Sequence, residues 1–135
     1  MEITTRMEFD SGHRIPNHKS VCKNLHGHRY AIEVTVKGEI GEQIHESDFG
    51  MVMDFKDAKN LIKKVIVDEW DHAFIAYEKD LEVISFLNTL DNHKTVILKR
   101  VPTAENMALT ALESVSYTHL RAHETLMNLV CRLLL

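Results

Sequence analysis

The chain has 135 residues, 44% of them hydrophobic and 27% charged, which is the composition of one globular domain with a buried core. A net charge of −4, with lysines and arginines scattered singly, argues against direct binding to nucleic acid. The sequence has no signal-peptide pattern, no run long enough to span a membrane and only two cysteines, so we expect a cytoplasmic protein with free thiols.

Two alternating segments near the N-terminus predict two β-strands. Residues 2–10 alternate between apolar and polar side chains, with the odd-numbered residues on the core-facing side. A second alternating run covers residues 29–37 and ends at Gly38 and Gly41. This run is long enough to be a major strand of an antiparallel sheet.

The period changes at Asp54. Apolar residues then recur at helical spacing over residues 55–68, with Asp54 as the N-cap, which predicts a helix. The stretch 81–90 is apolar without a clean period and is interpreted as a short helix or a loop.

The last predicted elements lie on either side of Pro102. Residues 95–101 form a short β-rich run that Pro102 ends, and Thr103 can cap a second helix. Strands that keep one face in water, followed by helices, indicate an antiparallel α+β layer rather than a parallel wound sheet.

Three of the nine histidines are spaced as metal ligands. His26 and His28 lie two residues apart at the start of the second strand, so both rings project from the same face. His13 continues the core-facing parity of the first strand. Three histidines without a fourth protein ligand are typical of catalytic zinc, because the vacant position can take water or substrate. The alternatives are ordinary core or loop histidines, or a closed structural site in which Cys22 is the fourth ligand.

Five motifs follow one another along the chain. They are F-D-S-G-H-R around His13, C-K-N-L-H-G-H from Cys22, V-M-D-F from Val52, D-H at Asp71 and P-T-A-E-N from Pro102. Together they resemble the 6-pyruvoyl-tetrahydropterin synthase family, over about residues 1–112. The resemblance implies the tunnelling fold, in which three subunits close antiparallel sheets, with helices packed on one face, into a barrel and two such rings stack. We therefore expect a homo-oligomer.

The resemblance also implies a reaction and a set of site residues. The three-residue gap between Cys22 and the H-G-H motif is similar to the 6-carboxytetrahydropterin synthase branch. That branch converts 7,8-dihydroneopterin triphosphate to 6-carboxy-5,6,7,8-tetrahydropterin, acetaldehyde and triphosphate, on the route to queuosine. The implied roles are zinc binding by His13, His26 and His28, catalysis by Cys22, Asp71 and His72, and pterin binding by Thr103 and Glu105. The alternatives are 6-pyruvoyl-tetrahydropterin formation from the same substrate and a non-catalytic zinc-binding relative.

The candidate catalytic residues have plainer interpretations beside these roles. A thiol beside a cation ionises readily, which makes Cys22 a candidate base, and a carboxylate such as Asp71 would orient His72 as a second proton carrier. Without the resemblance, the Asp-His pair is a helix end. Glu105 would then only interact favourably with the positive N-terminal end of the predicted helix after Thr103.

The resemblance stops near residue 113. In the family a final strand leads to a Glu-Thr pair that anchors the pterin ring, whereas here His123-Glu124-Thr125 comes too early and follows no alternating run. We interpret Glu124 as a coincidental match. Residues 1–113 are expected to form the family domain and residues 114–135 a tail foreign to it. The last strand would then be missing, leaving an open sheet edge and poor assembly.

Overall fold

A five-stranded sheet organises the chain, for which a computed structural model describes residues 1–122 and 128–134. The strands are β1 (Glu2–His13), β2 (His26–Lys37), β3 (Phe74–Tyr77), β4 (Thr95–Leu98) and β5 (Asn128–Leu134), in the spatial order β4-β3-β1-β2-β5. β2 pairs antiparallel with β1 and β5, while β3 pairs parallel with β1 and β4.

The α+β class is therefore confirmed with one correction, since the sheet is mixed rather than antiparallel throughout. A parallel pair needs a crossover connection. Helical segments supply one between β2 and β3 and another between β3 and β4. Strand β3 has only four residues and was not predicted.

The predicted helix beginning after Asp54 is confirmed. Helix α1 (Phe55–Ile62) continues through a π-helical stretch (Lys63–Val67) into the short α2 (Asp68–Trp70), two residues beyond the predicted end. The Asp54 side chain caps α1 by accepting a hydrogen bond from the Lys56 N–H at 2.7 Å.

The positions of the remaining helices also agree with those expected from the sequence. The stretch left open between helix and loop forms α3 (Leu81–Leu87), and α4 (Ala104–Ala122) begins directly after Thr103. A short 3₁₀ helix (Val21–Lys23) lies in the connection between β1 and β2. None of the helices described is long and apolar enough to cross a membrane.

The core lies between the sheet and the helices α1 and α4. Its buried apolar residues come from one face of β1 and β2, from the α1 to α2 segment, from α4 and from the neighbouring strands. They are Phe9, Tyr30, Ile32, Val34, Ile62, Ile66, Trp70, Ile75, Leu98, Met107, Ala111, Val115 and Leu133. The predicted core-facing parity of both long strands is therefore confirmed, and His13 lies on this same covered face.

The structure contradicts the expected missing strand. β5 pairs with β2 from Ala31 opposite Leu134 to Lys37 opposite Asn128, and Leu133 is 9% exposed within the core. The cause is that β2 offers a free row of backbone donors and acceptors, which a seven-residue segment satisfies without strict alternation. Glu124 lies outside the described residues. That residues 114–135 are foreign to the family stays a prediction.

Candidate metal centre and active site

Three histidines meet where β1 ends and β2 begins. The antiparallel register places His13 directly opposite His26 and Ser11 opposite His28, so all three rings lie on the covered face. One nitrogen of each ring lies within 4.8 Å of the others, and the ring centroids are 4.6 to 5.2 Å apart. The convergence that strand parity predicts is present.

Backbone carbonyls fix the orientation of two of these rings. The Nδ1 of His13 is 2.7 Å from the carbonyl oxygen of Pro102, and the Nδ1 of His26 is 2.7 Å from that of Asn24. A carbonyl oxygen can only accept, so both Nδ1 atoms carry the proton. Both Nε2 atoms are then left with a lone pair, and they face each other at 3.1 Å.

Two facing lone pairs repel each other unless a cation lies beside them. A tetrahedral zinc ion with ligands at about 2.0–2.1 Å holds neighbouring ligands about 3.3 Å apart, close to this spacing. Burial also lowers the pKa of His13 and of His28, with the nearby histidines adding to both shifts, and so favours the neutral, metal-binding form. The donor set and its hydrogen bonds therefore fit a zinc ion.

Tyr30 forms the floor of this cluster. Its ring lies edge-on to His13 and His28, with centroids 6.0 and 5.7 Å away, and it stacks on Phe9. Tyr30 is fully buried, which raises the pKa of its hydroxyl. The metal cluster therefore lies directly on the hydrophobic core, where its rings are held by packing.

Cys22 lies in the loop between His13 and His26 but is not part of the cluster. It belongs to the 3₁₀ helix in the loop that leads into His26, and its side chain is partly exposed. The Sγ atom lies 3.9 Å from the Ser20 hydroxyl and is outside the group of mutually close ligand atoms. Within the described residues the three histidines thus have no fourth protein ligand, which fits an open site rather than a closed structural one.

Asp71 and His72 form the hydrogen-bonded pair that the resemblance implies. One Asp71 oxygen accepts the backbone N–H of Asp10 at 2.9 Å, and the other lies 2.8 Å from the Nδ1 of His72. The Asp10 N–H, followed by the hydrogen bond from His72, lowers the pKa of the Asp71 carboxyl. An ionised Asp71 therefore orients the imidazole and leaves its Nε2 free.

This pair lies beside polar residues of β1 and β2. It lines a depression with Glu8, Asp10 and Arg29, whose side chains belong to the open face. The His72 side chain is 79% exposed there. His72 also lines a depression with His28, but neither Asp71 nor His72 belongs to the group of mutually close ligand atoms.

Comparison with known families shows to which family the chain belongs. Residues 2–130 match the family described as 6-pyruvoyl tetrahydropterin synthase. The chain belongs to this family.

Curated members of the family are similar to most of the chain. A 6-carboxy-5,6,7,8-tetrahydropterin synthase from Rickettsia bellii is 38% identical over 109 residues, covering 81% of this chain and 75% of that protein. A protein of the same name from Haemophilus influenzae is 35% identical over 133 residues, covering 92% of each.

Solved structures confirm the tunnelling fold for the single chain. An uncharacterized protein from Wolinella succinogenes superposes with a TM-score of 0.77 at 21% identity, covering 99% of this chain and 92% of that one. A 6-pyruvoyl tetrahydropterin synthase from Caenorhabditis elegans superposes with a TM-score of 0.57 at 25% identity, covering 87% of this chain and 77% of that one.

The P-T-A-E-N segment contacts the metal cluster at its first residue, Pro102. The Pro102 carbonyl holds His13, and the next residue, Thr103, accepts the Asn106 N–H at 3.3 Å and so caps α4 as predicted. Glu105 is exposed in the first turn of α4, where its charge favours the helix. The roles of Thr103 and Glu105 in pterin binding stay predictions.

Two site features were missed because their chemistry belongs to the backbone. The carbonyls of Pro102 and Asn24 select the tautomers of His13 and His26, yet any residue type offers a carbonyl. Neither carbonyl contact therefore carries a signal in the sequence.

Proposed function

We propose that the chain is a zinc-dependent 6-carboxy-5,6,7,8-tetrahydropterin synthase that converts 7,8-dihydroneopterin triphosphate to 6-carboxytetrahydropterin, acetaldehyde and triphosphate. The observation that carries the proposal is the open group of three histidines, in which the two Nε2 atoms of His13 and His26 face each other at 3.1 Å. The curated relatives that bear this name support the choice of product. The product would then feed queuosine formation.

The residues around the metal cluster supply the proton transfers. A zinc ion, when bound, polarises the side-chain oxygens of the substrate and acidifies the neighbouring C–H and O–H groups. Cys22 lies in the loop next to His26 and accepts a proton as its thiolate. His72, oriented by the Asp71 carboxylate, carries the second proton on its free Nε2.

The position of Asp71 and His72 supports a homo-oligomer. Because the exposed pair is not part of the chain's own group of three histidines, it would complete the metal site of a neighbouring copy. Mixing the inactive variants Cys22→Ala and His72→Ala tests this arrangement. Sites shared between copies regain activity on mixing, since some sites contain both intact residues, whereas a site built within one chain stays inactive in every mixture.

One assay tests the activity itself. The purified chain, loaded with zinc, is incubated with 7,8-dihydroneopterin triphosphate, and acetaldehyde and 6-carboxytetrahydropterin are measured by enzymatic coupling and mass spectrometry. We expect both products, and their loss after zinc chelation. A product of 6-pyruvoyl-tetrahydropterin mass without acetaldehyde would assign the chain to the other family activity, and absence of any product would support a non-catalytic relative.

A further inference from the structure

A polar pocket lies beside the metal cluster, between the end of β1, the loop that carries Cys22 and the residues before α3. It has a volume of about 690 Å³, and its polar lining includes Arg14, Asn17, Lys23, Asn24 and Lys79. None of these side chains has a role in the proton chemistry proposed above.

The pocket adjoins the loop that leads into the metal cluster. Lys23 directly follows Cys22, and Asn24, which also lines the pocket, accepts the hydrogen bond from the Nδ1 of His26 through its carbonyl. The pocket is therefore connected to the candidate ligand His26 through Asn24.

The charges of the pocket favour an anion. The two carboxylates in its lining, Asp80 and Glu82, are both bound by Arg14, at 2.6 and 2.7 Å to Asp80 and 3.2 Å to Glu82. Lys23 and Lys79 also line the pocket, and their ammonium groups have no ion pair or hydrogen bond with any side chain or backbone group that the structure describes. Two lysines without a counter-ion among the described groups thus lie in one pocket of a chain whose net charge is −4.

The other described depressions are poor places for a polyphosphate. Two depressions lie beside His72, and one of them also reaches His28. Both contain Asp10 and Arg29, which are already paired at 3.0 Å, and one also contains Glu8 and Asp71. A further depression is lined almost entirely by apolar side chains such as Ile3, Met51 and Phe55. Beside His72 the carboxylates and the paired arginine disfavour an anion, and in the apolar depression missing donors disfavour it.

We propose that Lys23 and Lys79 bind the triphosphate group of the substrate in this pocket, while Arg14 and Asp80 hold its wall in place. The inference rests on the proposed function, because it takes the substrate to be a pterin with a phosphorylated side chain. With the side-chain oxygens at the metal, the phosphate end leads away from the histidines into the adjacent cationic pocket.

The test separates phosphate binding from catalysis by using inorganic triphosphate as a probe. Its dissociation constant is measured by calorimetry for the zinc-loaded wild type and for Lys23→Gln, Lys79→Gln and the double variant. Each single substitution is expected to weaken binding about fivefold and the double one about 25-fold, as for partly exposed charge pairs. Lys59→Gln, an exposed lysine of α1, is the matched control and should bind as the wild type does.

The same variants are then assayed with substrate. We expect KM for dihydroneopterin triphosphate to rise in parallel with the triphosphate dissociation constant, and the affinity for dihydroneopterin without phosphates to stay unchanged. Unchanged triphosphate affinity in the double variant overturns the proposal even if the wild type makes product. A wild type that makes no product but binds triphosphate in a lysine-dependent way overturns the proposed function and leaves the anion site standing.

Discussion

Replacing His26 with alanine tests the metal centre most directly. The substitution removes one of three converging nitrogens, and only the facing Nε2 of His13 and the ring of His28 remain. After dialysis to remove free zinc, we expect about one zinc ion per wild-type chain and much less in His26→Ala and in His28→Ala, because two ligands make an incomplete site.

The size of the effect follows from binding linkage. Free zinc at 1,000 times its dissociation constant stabilises the folded chain by about 4 kcal/mol, which raises Tm by roughly 15 °C for a chain of this length. Losing even a hydrogen-bonding partner of a ligand weakens metal binding by roughly 10–100-fold. A 100-fold loss on removing His26 itself reduces the stabilisation to about 1.4 kcal/mol, or roughly 5 °C, at the same zinc concentration.

The metal-free proteins should differ far less. Because the two Nε2 lone pairs repel each other without a cation, removing the partly exposed His26 ring should change the zinc-free Tm by no more than a few degrees. Metal content by mass spectrometry and thermal unfolding with zinc or with chelator measure both quantities. His45→Ala, an exposed histidine away from the cluster, is the control. Full zinc occupancy and an undiminished zinc-dependent Tm shift in His26→Ala would refute the assignment.

Four further variants test the rest of the site and fold. Cys22→Ala should retain zinc and lose most turnover, and loss of zinc together with activity would make the cysteine a fourth ligand instead. His72→Ala should lower kcat far more than it raises KM, and unchanged kcat would leave the residue structural. Arg14 lowers the pKa of the buried Asp80 below its usual 3.8, so the stabilisation from this pair is present above about pH 4 and is lost as pH falls through the lowered pKa. Asp80→Asn should therefore lower the free energy of unfolding by about 2 kcal/mol at neutral pH. On acidification the variant should lose less stability than the wild type, which thermal unfolding at a series of acidic pH values would measure. Leu133→Ala should cost at least about 2 kcal/mol in denaturant unfolding, and a neutral result would contradict the packing of β5 on the core.

The metal cluster could be predicted from the sequence because the two-residue period of a β-strand determines the face on which each histidine lies. Alternation places His26 and His28 on the same face as Tyr30, and the odd-numbered parity of β1 does the same for His13. Antiparallel pairing of two alternating strands that each have one buried face allows only registers that keep those faces together. The observed register, with His13 opposite His26, is one of these.

The parallel half of the sheet could not be predicted in the same way. β3 has four residues, too few for alternation to be distinguished from a buried loop, whereas β4 was expected from the β-rich run 95–101 but its parallel pairing was not. β4 pairs with β3, whose place beside β1 depends on contacts such as the hydrogen bond from the Gly12 N–H to the Ala73 carbonyl, between residues far apart in sequence. β5 was missed for a related reason, since its pairing satisfies the edge of β2 without an alternating pattern of its own.

The position of Asp71 and His72 shows why a motif alone does not locate a catalytic group. The residue pair could be identified from the sequence. The direction of its side chains, however, depends on a positive φ of 56° at His72 and on hydrogen bonds between the pair and Asp10. Those contacts hold the imidazole beside Asp10 and Arg29, while the β1–β2 pairing directs the three histidines to the covered face. The metal site is thus built by two neighbouring strands and the Pro102 carbonyl, and the proton-carrying pair by a separate corner of the sheet. For this reason zinc binding should persist in variants that disturb the Asp10–Asp71 contact, whereas turnover, which needs both parts together, should not.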